Sequence, residues 1–129
     1  MKIVLDTNAY TALMKGEKRI TSVLEFSEKV FVPFVVLGEL YGGFYPGKYR
    51  DKNIRTLELF LSKPGIYSLD STKAIAERYG MLIKILQKQG TPIPTNDIWI
   101  SASVLETGSK LATRDRHFEC VPGIYIVPF

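Results

Sequence analysis

Histidine, cysteine and tryptophan occur once each, and that scarcity removes several functional classes before any motif is read. The lone cysteine, Cys120, has no partner for an internal disulfide, so the fold must rest on its core. His117 and Cys120 together fall short of the ligand set of a typical zinc centre. No G-x-S-x-G is present, and a serine hydrolase would have to use His117 as its only base. No run approaches the roughly 18 apolar residues of a membrane span. The amino terminus carries a single lysine and Asp6 then interrupts the first apolar stretch, which is not the form of a secretory signal. The expected location is cytoplasmic, with no membrane partner. Internal repeats, low-complexity tracts and interdomain linkers are also missing. With 129 residues and 46% apolar content, the expectation is one domain, 1–129, with a proper core. The net charge of +4 leans towards polyanionic partners without choosing one.

What the chain does have is an alternation of two periodicities. Short apolar runs at Lys2–Leu5, Val30–Val32, Ile66–Leu69, Lys110–Thr113 and Ile124–Val127 read as strands, with helical patterns between them. Strands alternating with helices predict an α/β fold with a largely parallel sheet covered on both faces. The clearest helix follows Asp70, where Ile75, Tyr79, Leu82 and Leu86 recur at helical spacing and Gly90 supplies the stop. Ala74, Ala76, Ile83 and Ile85 widen its apolar stripe, which predicts burial against more than one neighbour. Ile54, Leu57 and Leu61 mark a second helix, Ile20, Val23 and Leu24 a third, and Ile98, Ala102 and Leu105 a fourth beginning near Asn96-Asp97. In "PFVVLGELYGGFYPGKYRDKN" the reading is a helix that breaks at Gly42-Gly43 and continues as a basic, aromatic loop.

The acidic residues separate by context. Asp6, Asp70 and Asp115 each follow an apolar strand, and the carboxyl ends of parallel strands share one edge of the sheet, where such folds place ligands. Asp97 opens a helix, where the dipole and free amides favour a carboxylate. Glu39 stands among apolar residues in "VVLGELYGG". Each also has a local reading: Asp70 as a helix cap, Asp97 as another, Asp6 as a turn former, Asp115 as part of a charged turn, Glu39 as the outer face of an amphipathic helix. Taken as a set they imply more. Asp6, Glu39, Asp97 and Asp115 brought within a few ångströms would raise one another's pKa values, and a divalent cation relieves that conflict. Carboxylate donors select a hard ion, Mg2+ or Mn2+.

Asp6-Thr7-Asn8 after the first strand, Glu39-Leu40 followed by Gly43, Asn96-Asp97 opening a helix of small residues, and Thr113-Arg114-Asp115 after a late strand together resemble a PIN domain. More narrowly, the length and order resemble the ribonuclease toxins of VapBC type II toxin–antitoxin systems. The resemblance covers the chain from Met1 to "VPGIYIVPF". It implies a three-layer α/β/α PIN-like domain with a central parallel sheet of four to five strands, acting as a Mg2+-dependent endoribonuclease toxin. Asp6 and Asp97 would be the most direct metal ligands, completed by Glu39 and Asp115. Thr7, Asn8 and Thr113 match supporting positions, and Asn96 the start of the Asp97 helix. His117 departs from the pattern, since many relatives carry a further acid there, and this bears on whether one ion or two is held. Ser101 stands where alanine is frequent. A cognate antitoxin and a homodimer are implied as partners.

Hydrolysis in line with the leaving oxygen would yield a 5′-phosphate and a 3′-hydroxyl. Arg114 and Arg116 are candidates for RNA phosphate contact or for a solvated turn. Lys48, Arg50, Lys52 and Arg55, interleaved with Tyr45 and Tyr49, suit phosphate contact and base stacking, and suit an exposed loop or antitoxin surface equally. "GGFYPGK" imitates a phosphate loop, but Tyr49 replaces its small hydroxyl residue and a helical pattern precedes it. Two other readings remain at this stage: a non-catalytic or weakly catalytic PIN-like module that binds RNA or protein, and a phosphoacceptor receiver domain.

Overall fold

Successive side chains of a strand face opposite sides, yet Ile3, Val4 and Leu5 are all fully buried, so the sheet that contains them is covered on both faces. In the computed structural model, which describes residues Met1–Phe129, these residues lie in β1 (Lys2–Leu5). The other strands are β2 (Lys29–Pro33), β3 (Ile66–Leu69), β4 (Lys110–Ala112) and β5 (Ile126–Val127). Every pairing is parallel, in the order β3-β2-β1-β4-β5. The expected α/β sandwich with a central parallel sheet is borne out. A receiver domain places its first strand between the second and third, whereas here β1 lies between β2 and β4, so that alternative is set aside.

Six helices make the crossovers: α1 (Thr7–Met14), α2 (Lys18–Glu25), α3 (Phe34–Phe44), α4 (Arg50–Leu61), α5 (Lys73–Gln89) and α6 (Thr95–Thr107). A single 3-10 turn, Arg116–Cys120, joins β4 to β5. From β1 the chain moves outward through β2 to β3, then returns past β1 to β4. The strand order therefore reverses between β1 and β4, the kind of crevice in which open α/β sheets bind their ligands. The main core joins Ile3, Leu5, Val32, Leu57, Ile100 and Leu111. A smaller cluster packs Ile75, Leu82 and Leu86 of α5 against Ile98 and Ala102 of α6. No helix is long and apolar enough to cross a membrane.

Several local expectations need correcting. The helix from Phe34 runs through Gly42-Gly43 to Phe44. Two glycines cost a helix about 1 kcal/mol each relative to alanine, but buried Leu40 and the packing of Tyr41 and Phe44 against the core hold the last turns. Consequently "GGFYPGK" starts as helix, not as a strand-to-helix phosphate loop. The helix α5 buries one stripe only: Ala74 and Ala76 are exposed, Met81 is 62% exposed and Ile85 36%. Asp70 is exposed and does not cap α5; the N-cap is Thr72, whose hydroxyl accepts from the Ile75 amide at 3.2 Å. Removing that bond should cost about 1 kcal/mol. Urea unfolding is expected to show this loss for Thr72→Ala and almost none for Asp70→Ala.

Candidate active site

Asp6 follows β1 directly and is 4% exposed, a costly place for a carboxylate unless it is held by donors. It has two. Its Oδ1 accepts from the Ala9 amide at 2.8 Å, which makes Asp6 the N-cap of α1. Its Oδ2 accepts from the Thr113 hydroxyl. This cap replaces the turn former that was the local alternative for Asp6, and α1 was not among the expected helices, although an aspartate three residues before an apolar helical position is the signal of a cap. Thr113 is buried just past β4, and its hydroxyl has one proton and two lone pairs. It gives the proton to Asp6 and accepts from the Asp115 amide at 2.9 Å. One side chain thereby ties the ends of two neighbouring strands and fixes the backbone that carries Asp115.

Asp115 in turn caps the 3-10 turn, its Oδ1 accepting from the His117 amide at 3.0 Å. From that turn the His117 ring reaches back over two acids, with Nδ1 2.9 Å from Asp97 Oδ2 and 3.2 Å from Asp115 Oδ1. Asp97 comes from the first turn of α6, whose N-cap is Pro94. The Asp97 carbonyl accepts from the Ser101 hydroxyl at 2.8 Å. Ser101 is fully buried, so this small side chain also closes a polar bond inside the helix. Glu39, mid-way along α3, accepts on Oε1 from the Thr7 hydroxyl at 2.8 Å. Its Oε2 has no protein donor.

The acids influence one another electrostatically. Burial pushes the Asp6 carboxyl above the usual carboxylate range; Thr113 and the Ala9 amide oppose this, and repulsion from Asp115 and Asp97 adds to it. Asp97 is raised likewise, first by burial, with the His117 hydrogen bond opposing and Asp115 and Glu39 adding repulsion. No lysine or arginine pairs with any of these four carboxylates. Arg114, expected as a phosphate contact, is engaged elsewhere: its guanidinium binds Glu17, donates to the Phe129 carbonyl at 3.3 Å and lies 4.4 Å from the Phe129 ring centroid. That pairing holds the Glu17 carboxyl below its usual range and pushes the Arg114 guanidinium up. Nothing in the sequence announced Glu17, which is separated from Arg114 by 97 residues.

The remaining sequence candidates divide. Asn8, in the first turn of α1, is exposed and makes no side-chain bond to the acids. Asn96 is exposed inside the first turn of α6 and does not cap it. Asp70 follows the edge strand β3, two strands away from β1. Arg116 is 89% exposed, 3.7 Å from Glu119. Lys48 lies in the turn before α4 and Arg50 is its first residue, over the Tyr49 and Tyr45 rings at 5.8 and 5.9 Å. The structure thus brings together Asp6, Glu39, Asp97 and Asp115 with Thr7 and Thr113 and adds His117; Asn8 and Asn96 make no side-chain bond to this group, and Asp70 lies two strands away from β1.

Comparison with known proteins points the same way. The family model described as the PIN domain matches residues 3–124. Ribonuclease VapC2 of Haemophilus influenzae (strain ATCC 51907 / DSM 11121 / KW20 / Rd) is 33% identical over 125 residues, covering 94% of this chain and 92% of that protein. Ribonuclease VapC1 of Haemophilus influenzae (strain R2866) is 30% identical over 119 residues, covering 89% and 87%. The solved structure of VapBC-1 from nontypeable Haemophilus influenzae superposes with a TM-score of 0.88 at 27% identity, covering 99% of this chain and 98% of that one.

Proposed function

Because this chain belongs to the PIN-domain family, among its VapC-type members, we propose that it is a divalent-cation-dependent endoribonuclease, the toxin of a type II toxin–antitoxin pair. The observation that carries the cation dependence is the group of carboxylates at the β1/β4 crevice, two of them raised by burial and mutual repulsion, with no lysine or arginine to neutralise them. Oxygen donors in that state fit a hard ion such as Mg2+, with Mn2+ as substitute. When bound, the ion supplies Lewis-acid stabilisation of the phosphoryl oxygens and a water made nucleophilic at neutral pH.

The chain's own groups do the rest. Asp6 and Asp97 would hold the ion most directly, Asp6 itself held by Thr113 and the Ala9 amide. Asp115 completes the set from the neighbouring strand end. Glu39, with Oε1 bonded by Thr7 and Oε2 without a protein donor, would take the proton of the attacking water. Exposed Arg116 contacts RNA phosphate at the rim, while Lys48 and Arg50 with their tyrosines offer cation and stacking surface further out. Arg114 takes no direct part, being bound to Glu17 and Phe129.

The partners follow from the same likeness. A cognate antitoxin protects the cell, in keeping with the VapBC assembly of the similar structure. A second copy of the chain is the expected neighbour for the apolar surface at Met81 and Ile85 of α5. The protein acts in the cytoplasm on cellular RNA. The test is incubation of the purified chain with total RNA after chelation and again after Mg2+ or Mn2+ is restored. Cleavage should stop and return; cutting that survives chelation would refute the proposal.

A further inference from the structure

We propose that the His117 imidazole is itself a ligand of the bound cation, and that this nitrogen makes the site prefer Mn2+ to Mg2+. The inference rests on the cation-dependent reading above and concerns which ion that site takes.

Asp97, Asp115 and His117 each present one ligand atom, and the three atoms lie within 4.8 Å of one another. The separations of Nδ1 from Asp97 Oδ2 and Asp115 Oδ1 are 2.9 and 3.2 Å. Two adjacent ligands of an octahedral ion with bonds of about 2.1 Å stand about 3.0 Å apart. The nitrogen is therefore spaced from both carboxylates as a neighbouring ligand would be. It is also held there. Asp115 accepts the His117 amide proton and so closes the turn, while Phe118, 1% exposed, anchors the next residue in the core. The His117 side chain is 52% exposed, which leaves an open side for water and substrate oxygens.

The chemistry of the donor decides the ion. A purely oxygen set suits Mg2+, which binds few protein ligands and keeps its waters. Replacing one oxygen by imidazole favours first-row transition ions, for which nitrogen is a better donor. Mn2+ shares the octahedral, oxygen-rich preference of Mg2+ and, as a first-row transition ion, gains more from one imidazole nitrogen than Mg2+ does. His117 then acts as the discriminating side chain of the centre, and Asp97 and Asp115 as its shared oxygen ligands.

The test uses the purified full chain and the metals alone. Pulsed EPR of the Mn2+-loaded protein should show nitrogen coupling that vanishes in His117→Ala, and Mn2+ affinity should fall about tenfold or more while Mg2+ affinity moves much less. His117→Asp, which restores an oxygen donor, should still bind both ions, without nitrogen coupling and without the preference. Mn2+ bound with no nitrogen coupling, or equal losses for both ions in His117→Ala, overturns the inference and leaves the ribonuclease reading standing. A wild-type chain that binds neither ion overturns both. Cleavage with Mg2+ as efficient as with Mn2+ at limiting metal, despite nitrogen coupling, overturns the preference alone.

Discussion

Asp97→Asn should cut RNA about a thousandfold more slowly than the wild type, while unfolding at the same or a higher temperature. The two halves of that result have one cause. Removing a group that stabilises developing charge costs about 100- to 1,000-fold in rate, and a metal ligand sits at the upper end. The same carboxylate is a burden on the fold. Burial raises its pKa above the unfolded value, so the ionised form is disfavoured in the native state. That destabilisation is fully present above the folded pKa and fades as pH falls through it towards the ordinary aspartate value. At neutral pH an asparagine of the same shape removes it. Thermal melts at pH 7 and a rate assay on one preparation check both halves, and a variant that melts lower while keeping its rate would contradict them. By the same sign, acidification should weaken cation binding at a pH above the usual carboxylate range.

Thr113→Val is expected to do the opposite, lowering stability and activity together. Valine keeps the volume of threonine but leaves the Asp6 Oδ2 and the Asp115 amide without their partner, in a position only 4% exposed. An orphaned buried polar group costs about 1–3 kcal/mol, more when charged. For a chain of this length that corresponds to a melting temperature lower by on the order of 5–10 °C. Losing the hydrogen bond that opposes its desolvation should also drive the Asp6 carboxyl further up, moving the acid limb of the rate profile to higher pH. Thr113→Ser, which restores the hydroxyl, should recover most of both losses. A Thr113→Val protein with normal stability and an unshifted acid limb would show that the hydroxyl is not what ties the two strand ends together.

The parts of the site that the sequence displayed were those carried by strand ends. Asp6, Thr113 and Asp115 are legible because an apolar run that stops at a polar residue marks a strand reaching the sheet edge, and parallel strands share that edge. Asp97 and Glu39 were legible only as members of the set, since a carboxylate near a helix start or mid-helix has ordinary structural roles. What was not legible depends on distance or on competition between neighbours. Thr72 and Asp70 both suit a cap, and only backbone geometry decides for Thr72. The Arg114–Glu17 pair joins loops from opposite ends of the chain and withdraws an arginine that sequence alone offers to RNA. The helix α3 survives two glycines because tertiary packing outweighs propensity. His117 was visible as a departure from pattern, but its place over Asp97 and Asp115 comes from a turn no periodicity describes.

Hydrolysis by water at the acids of the β1/β4 crevice leaves different RNA ends from attack by the RNA's own 2′-hydroxyl with His117 and a carboxylate as acid and base. Chemical identification of the new ends separates the two. Cleavage products from the purified chain with Mn2+ should carry 5′-phosphates and 3′-hydroxyls, and a substrate with 2′-deoxyribose at the cut site should still be cleaved. Cyclic 2′,3′-phosphates with 5′-hydroxyls, and full resistance of the deoxy-substituted substrate, would contradict hydrolysis by water.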